Sequence, residues 1–309
     1  MLGVYFKVWR DLLKAQNPSR TLYYVDIFCG DGETFDKTTR ETFETPVIVS
    51  LMKKGVIESE LDIRFFLNDK NSEAIKKLQT KIKELGLEDR VIDIDNIDAN
   101  LYVDKILGKL PADGLVIFFI DPFNYKELKW TTLEKISKHG NNYGRKPEII
   151  INLPLYSLGE AQKSKSYEKV DEFFGTEKWL EKVNENKQLT SIRPVFNALL
   201  DTYVSRIKGL GYRVEYEEIS SIGHNSPVYY IIFAVANDEA YTIVKRAIAF
   251  VRSVKIQWEK DKVAKKGKIT GVGSGSGLDK WVKNSTGESK VMVDSDEKPK
   301  QNTLKKWVT

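Results

Sequence analysis

The chain has 309 residues, of which 41% are hydrophobic and 11% aromatic, enough for one large α/β core with appendages. One cysteine, Cys29, and two histidines exclude an internal disulfide framework and predict no metal site. No apolar run reaches the roughly 18 residues needed to cross a bilayer, and the start has no signal-peptide pattern, so we expect a cytoplasmic protein without a membrane partner. The net charge of +5 permits a nucleic-acid partner without requiring one.

The first segments predict a helix, a buried strand and a polar loop. Apolar residues recur at helical spacing over 4–15. The apolar run from Leu22 to Phe28 is typical of a buried parallel strand. Residues 33–45 are polar and predict a loop, after which Pro46 is expected to begin a short helix ending at Lys54.

Strands and helices alternate through the rest of the globular part. The predicted strands cover 62–67, 90–94, 115–120 and 148–152, and the predicted helices cover 72–85, 100–107, 131–137, 167–186 and 194–208. Strands at 212–220 and 228–235 predict an antiparallel hairpin, and Asp238 begins a last helix that ends near Lys260. This order predicts a Rossmann-like, doubly wound, mainly parallel seven-stranded α/β sheet with the 115–120 strand near its centre.

The composition changes near residue 262, where Gly, Ser, Lys, Asp and Glu become dominant. A chain of that composition cannot bury enough apolar surface to fold, so we expect a flexible tail. The predicted organisation is an α/β domain over 1–260, a linker over 261–300 and a short binding peptide over 301–309.

A glycine loop follows the first strand directly. Gly30 and Gly32 come just after Asp26, and glycine lets the backbone turn tightly and approach a ligand. An acid beside such a loop suits a ligand with hydroxyls or a positive charge, at the carboxyl edge of the sheet. The third glycine of the dinucleotide fingerprint is absent, since Phe35 stands there, and the sequence has no GxxxxGK[ST] phosphate loop. A plain turn is the alternative.

Five βα units followed by a hairpin form the layout of class I S-adenosylmethionine-dependent methyltransferases. Within that class, three segments resemble the three-Cys-motif partner (TcmP) family: Tyr24–Gly32, Asp121–Phe123 with Trp130–Leu133 behind it, and Tyr229–Ala234. The resemblance implies a methyltransferase-like protein with S-adenosylmethionine as its cofactor.

The resemblance also implies roles for individual residues. The amino-acid end of S-adenosylmethionine would be lined by Asp26, Phe28, Gly30 and Gly32. Asp69 would accept hydrogen bonds from the ribose hydroxyls, and Asp95 or Asp98 would lie near the adenine. For each of these three acids, a solvated loop position or a helix cap is the alternative.

The catalytic candidates follow the most apolar strand and are Asp121, Pro122, Phe123 and Asn124. They resemble the (D/N/S)-P-P-(Y/F) element of amino-methyltransferases, in which a carboxylate and a carbonyl accept an amine's hydrogens. A base flipped out of a duplex could stack on Phe123 or Tyr125, with Arg145 and Asn152 as pocket neighbours. The alternative is a strand-terminal turn with Phe123 in the core.

The tail ends in a motif that resembles the peptide by which archaeal and eukaryotic replication and repair proteins bind the sliding clamp, PCNA. Its residues are Gln301, Leu304, Trp307 and Val308, with a partial copy at Leu278 and Trp281. Exposed Leu and Trp have no structural use in a flexible tail, and two weak peptides on one tail could bind a ring with avidity. The alternatives are a chance match and a tail that folds back on its own domain.

Together these observations predict an archaeal methyltransferase that acts near DNA or RNA and is bound to the clamp during DNA replication or repair. A second hypothesis is a methyltransferase-like binding module for an iron–sulfur or radical three-Cys-motif protein. A third is a metal-dependent DNA-processing enzyme that would depend on Asp26 or Asp121.

Overall fold

A computed structural model describes the chain in nine ranges. These are residues 21–36, 41–44, 51–58, 61–140, 145–155, 157–158, 167–186, 193–220 and 227–266. The first predicted helix, over 4–15, and the whole tail beyond 266 lie outside the described residues.

Nine strands are described. They are β1 (Leu22–Asp26), β2 (Glu33–Asp36), β3 (Glu41–Glu44), β4 (Ile63–Asn68), β5 (Val91–Asp95), β6 (Leu115–Ile120), β7 (Glu148–Leu153), β8 (Arg213–Ser220) and β9 (Pro227–Val235). The described α-helices are α1 (Ser72–Glu84), α2 (Ala99–Ile106), α3 (Trp130–Lys138), α4 (Tyr167–Phe174), α5 (Lys178–Asn186), α6 (Arg193–Gly209) and α7 (Asp238–Lys266). Short 3₁₀ turns cover Glu88–Arg90 and Tyr125–Glu127, and a π-helix covers Leu51–Ile57.

The main sheet has seven strands in the order β5-β4-β1-β6-β7-β9-β8. The first five of these pair in parallel, whereas β9 pairs antiparallel with both β7 and β8. The β6 strand lies at the centre, as its uninterrupted apolar sequence predicts for a strand buried on both faces. The predicted doubly wound, mainly parallel sheet with a C-terminal antiparallel hairpin is therefore confirmed.

The register of the sheet positions the candidate residues. Asp26, the last residue of β1, is paired with Leu67 of β4 on one side and Phe119 of β6 on the other. Asp69 and Asp121 follow those partners by two residues, so they lie at the same edge as the loop that leaves β1. The carboxyl edge of a doubly wound sheet, at the point where strand order reverses, is where such folds place ligands.

The predicted loop over 33–45 is wrong, because β2 and β3 pair antiparallel within it. Thr34 is paired with Phe43 and Phe35 with Thr42. Such β-branched and aromatic residues favour strands even when their neighbours are polar.

The short helix predicted to end at Lys54 is instead described as a π-helix that continues past Gly55 to Ile57. Glu58 N–H donates to the Lys53 carbonyl across five residues, at 2.9 Å. Burial of apolar side chains stabilises this continuation, because Met52 has no exposed surface and Val56 is only 8% exposed.

The single helix predicted over 167–186 is divided into α4 and α5. Gly175 has φ +63°, a left-handed conformation that ends a helix, and a Cβ there would lie 2.4 Å from the Trp130 ring. The last helix extends past Lys260, the predicted end, to Lys266.

The residues group into two compact units. The unit Leu2–Lys245 contains both sheets and their helices, with a core that includes the stacked rings of Phe173 and Tyr203, whose centroids lie 4.8 Å apart. The described part of the other unit is the later part of α7, from Arg246 to Lys266. In the part of the chain that is described, no helix combines the length and apolar character needed to span a membrane.

Candidate functional site

The glycine loop has the conformation that its sequence predicts. Gly30 has φ +60° and Gly32 φ +76°, both in the left-handed region. Between them and β1, Cys29 is buried and its N–H donates to the Asn68 carbonyl at 2.9 Å, which holds the loop against β4. A Cβ added at Gly30 would meet no atom of the described residues within 4 Å, so among them the loop leaves room for a ligand.

Asp26 lies beneath this loop and is 2% exposed. Its Oδ2 accepts a hydrogen bond from the Tyr24 hydroxyl at 3.0 Å, and its Oδ1 accepts one from the Phe28 N–H at 3.1 Å. Burial raises the pKa of Asp26 to about 8, the two hydrogen bonds lower it, and the charges of Asp121 and Asp69 raise it further. Asp26 therefore fixes the start of the loop, and its carboxyl group is protonated in a large fraction of molecules at neutral pH.

Asp69 joins the ends of β1 and β4. Its Oδ2 accepts from the Gly30 N–H at 2.9 Å, and its Oδ1 accepts from the Asn71 N–H at 2.8 Å. Because a carboxylate can accept about four hydrogen bonds, these two leave capacity for a ligand hydroxyl. Asp69 is thus an oriented acceptor beside the glycine loop.

Asn68, which precedes it, is fully buried and connects three loops. Its amide nitrogen donates to the carbonyls of Ile27 and Ile97, at 3.2 and 3.1 Å, and its Oδ1 accepts from the Ile97 N–H at 3.1 Å. Sequence reasoning gave Asn68 no role. Its position could have indicated one, because Asn68 is a polar residue at the end of an apolar strand. A polar side chain that is buried there must make hydrogen bonds.

Asp95 and Asp98, which were predicted to lie near the adenine of the cofactor, both accept hydrogen bonds from other residues of the chain. Asp95 accepts from the Lys105 ammonium at 2.8 Å, and this hydrogen bond is the main cause that lowers the pKa of Asp95. Asp98 Oδ1 accepts from the N–H groups of Asn100 and Leu101, at 2.9 and 3.3 Å, and so caps the N-terminus of α2. The helix-cap alternative thus describes what Asp98 does in the structure.

The segment after β6 presents one aromatic ring to solvent. Pro122 is buried, whereas Phe123 is 90% exposed, so the alternative that Phe123 belongs to the core is wrong. Asn124 caps the 3₁₀ turn, accepting from Lys126 N–H at 2.8 Å. Tyr125, the other proposed stacking residue, is buried.

Asp121 is exposed to solvent and is paired with a side chain from the next strand. The Asn152 amide nitrogen donates to Asp121 Oδ1 at 2.6 Å. Partial desolvation raises the pKa of Asp121, and the Asn152 hydrogen bond lowers it.

Tyr229, near the start of β9, joins this group. The Asp121 charge adds to the effect of burial in raising the pKa of Tyr229, which indicates that the two side chains are close. Sequence reasoning did not assign Tyr229 a role, because only the antiparallel pairing of β9 with β7 brings it to this edge. Arg145, in contrast, precedes β7 and lies at the opposite edge, so it is not a pocket neighbour.

The site that results is an acidic edge with an open glycine loop. Asp26, Asp69 and Asp121 lie close enough for the charges of the other two to raise the pKa of Asp26. Within the described ranges, no group of three or more His, Cys, Asp or Glu side chains is placed to hold a metal ion. The residues predicted to bind a sliding clamp, between Leu278 and Val308, lie outside the described residues.

No protein-family model matches the sequence, and no curated protein sequence does either. Among solved structures, the chain is similar to the METTL16 MTase domain, with 10% identity, a TM-score of 0.42, and coverage of 76% of this chain and 66% of that one. The chain therefore spans slightly less than two thirds of that domain. Protein LPL1258 from Legionella pneumophila has 12% identity and a TM-score of 0.42, covering 79% and 90% of the two chains. Precorrin-6y C5,15-methyltransferase from Geobacter metallireducens has 14% identity and a TM-score of 0.35, covering 74% and 87%.

Proposed function

We propose that this protein is an S-adenosylmethionine-dependent methyltransferase. The observation that carries the proposal is the left-handed Gly30 loop, which has room for an added group among the described residues and follows β1, the strand between β4 and β6, after which Asp69 and Asp121 come. S-adenosylmethionine, when bound, supplies an electrophilic methyl group on a positively charged sulfur.

The residues present fit that cofactor in shape and charge. Asp69 is held by backbone N–H groups with acceptor capacity left for a ribose diol. The acidic edge that Asp26, Asp69 and Asp121 form favours a ligand with a positive charge, since an opposite charge nearby stabilises the ionised form of a carboxyl group. The protein's part is to bind and orient, which supplies much of the rate in such transfers.

A matched pair of glycine substitutions tests the proposal. Gly30 and Gly86 have nearly the same φ, +60° and +65°, and in the part of the chain that the structure describes neither has an atom within 4 Å of an added Cβ. Gly30→Ala and Gly86→Ala therefore introduce the same backbone strain, but only the first adds a methyl group beside the proposed cofactor. By titration calorimetry we expect Gly30→Ala to weaken S-adenosylmethionine binding about tenfold or more, and Gly86→Ala to leave it unchanged. No heat from the unmodified protein at high ligand concentration would refute the proposal.

For the acceptor we propose nucleic acid. The fully presented ring of Phe123, next to Asp121, favours an acceptor with a flat face that can stack. Transfer of labelled methyl groups to single-stranded and duplex oligonucleotides should fall about tenfold or more in Phe123→Ala, since base–aromatic stacking contributes roughly 1–3 kcal/mol. Equal transfer by both proteins would contradict this assignment.

We also propose, from sequence alone, that the tail binds the sliding clamp and that the chain belongs to the TcmP group. Co-elution with PCNA should be lost in a Leu304→Ala/Trp307→Ala double variant. The matched control is Leu278→Ala/Trp281→Ala, which removes only the partial copy and should weaken co-elution without abolishing it.

The two other hypotheses lead to different measurements. A binding module for a three-Cys-motif protein would bind S-adenosylmethionine and transfer no methyl group to DNA, RNA or protein. A metal-dependent DNA-processing enzyme would cleave DNA without S-adenosylmethionine and lose that activity in Asp121→Asn.

A further inference from the structure

Exposure repeats every three residues in the segment that follows β6, around the 3₁₀ turn at Tyr125–Glu127. The exposed side chains are those of Phe123, Lys126 and Lys129. The buried side chains between and before them are those of Pro122, Tyr125 and Leu128. A 3₁₀ turn has three residues per turn, so side chains three apart lie on the same side of it. One aromatic ring and two ammonium groups thus share a solvent-facing side of this segment, which we call the 123–129 face.

Hydrogen bonds fix the backbone beneath the 123–129 face at both ends. At its start, Asn124 Oδ1 accepts from the Lys126 N–H at 2.8 Å, and Glu127 Oε2 accepts from the Asn124 N–H at 3.2 Å. At its end, the Asn100 side chain of α2 accepts from the Lys129 N–H at 2.9 Å and donates to the Glu127 carbonyl at 3.0 Å. A partner therefore meets side chains on an already ordered backbone, and less conformational entropy is lost when it binds.

The two lysines of this face have no acidic partner among the described residues. Neither Lys126 nor Lys129 belongs to an ion pair there. The Lys126 ammonium instead lies 5.8 Å from the centre of the Tyr125 ring. On the neighbouring helix α2, by contrast, the exposed carboxylate of Asp104 is paired with Lys135 at 2.5 Å. The 123–129 face thus carries two positive charges that an anionic partner can pair with.

The charges along this face are unevenly distributed. Asp121, which is exposed, precedes Phe123, whereas the two lysines follow it. Like charges repel, so a phosphate group is disfavoured near Asp121 and favoured near Lys126 and Lys129. The partner that fits combines a flat uncharged ring with phosphates farther along the same chain, as a nucleic-acid strand does.

We propose that Lys126 and Lys129 bind the phosphate backbone of a single nucleic-acid strand, one base of which stacks on Phe123. Proteins that bind single strands combine these two elements, a cationic path for the backbone and aromatic rings for the bases. A base within a duplex is covered by its neighbours, so the ring of Phe123 can stack only on an unpaired or flipped base. The inference rests on the proposed function, because it states how the strand that carries the methyl acceptor is held.

The dependence of binding on salt tests these phosphate contacts. Fluorescence anisotropy measures the affinity for labelled single-stranded DNA and RNA oligonucleotides between about 50 and 200 mM salt, without any cofactor. The slope of log affinity against log salt should decrease in magnitude by about 0.7 in Lys126→Gln and in Lys129→Gln, and by about 1.4 in the double variant. The matched control is Lys135→Gln, which removes the same charge from an exposed lysine that is paired with Asp104, and it should leave the slope unchanged.

A rescue variant separates the charge from other effects of substitution. Lys126→Arg/Lys129→Arg keeps both positive charges and should keep the slope of the unmodified protein. Thermal unfolding of each variant checks that it is folded. In methyl-transfer assays with the same oligonucleotides, the double glutamine variant should raise KM about tenfold or more and change kcat less than about twofold, because the lysines contact the strand and not the reacting atoms.

Three results would overturn the inference. They are an unchanged slope in the double glutamine variant, an equal decrease in Lys135→Gln, and an unmodified protein that binds neither strand. If the slopes change as expected but calorimetry detects no S-adenosylmethionine binding, the proposed methyltransferase function fails and the phosphate contacts stand. If methyl groups are transferred to nucleic acid while the slopes do not change, the proposed function stands and this inference fails.

Discussion

The buried acid Asp26 predicts an unusual dependence of stability on pH. Its pKa in the folded protein is about 8, against 3.8 for an ordinary aspartate, because burial penalises the charged form. Between these two values the folded state holds one proton that the unfolded state has released. The stabilisation from this group is therefore fully present below about pH 4 and is lost as the pH rises through about 8.

The magnitude follows from the two pKa values. A single proton changes the free energy of unfolding by about 1.4 kcal/mol per pH unit between them. Taking about 8 for the folded state, the loss between pH 5 and pH 8 is roughly 4 kcal/mol. Asp26→Asn removes the titration but keeps an acceptor for the Phe28 N–H and a polar contact for the Tyr24 hydroxyl. Relative to the unmodified protein, the variant should thus gain about that much stability as the pH rises from 5 to 8.

Urea unfolding followed by the fluorescence of the buried Trp130 and Trp179 measures this difference at several pH values. The control is Asp104→Asn, which removes an exposed carboxylate paired with Lys135 at 2.5 Å on the outside of α2. Its stability difference should stay nearly constant over the same range. A difference for Asp26→Asn that varies by less than about 0.5 kcal/mol from pH 5 to pH 8 would refute the assignment of a buried, protonated Asp26.

Three further predictions concern the effect of substitutions on stability at positions whose surroundings the fold determines. Asn68→Ala should lower the free energy of unfolding by about 2–4 kcal/mol in urea titrations, because it leaves buried backbone groups of two loops without partners. Gly175→Ala should lower the free energy of unfolding by about 2–4 kcal/mol, because backbone strain at φ +63° adds to a collision with the Trp130 ring. Gly86→Ala introduces the strain without a collision and should lower it by about 1 kcal/mol. Equal losses in the two variants would contradict this reasoning. Phe123→Ala should change the unfolding free energy by less than about 0.5 kcal/mol, because a ring that is 90% exposed contributes little to the core; a larger loss would show that it packs on another part of the chain.

Much of the fold could be predicted from the sequence because local signals were strong. The apolar runs of β1 and β6, each followed by a polar or glycine segment, identified the strands and the edge at which a ligand would lie. The errors came from weaker signals. Charged residues within β2 and β3 led to the prediction of a loop where the two strands pair. The division between α4 and α5 was not predicted, because it depends on the approach of Gly175 to the Trp130 ring, which is distant in sequence.

The sequence by itself determined the alternation of elements, the glycine loop after β1 and the acids at the strand ends. These features are local, since each depends on residues adjacent in the chain. Only the tertiary structure decided what each acid touches: Asp26 is buried against Tyr24, Asp98 caps a helix, and Asp121 is paired with Asn152. The physical reason is that burial and pairing depend on strands distant in sequence, and only the sheet order brings β6, β7 and β9 to one edge.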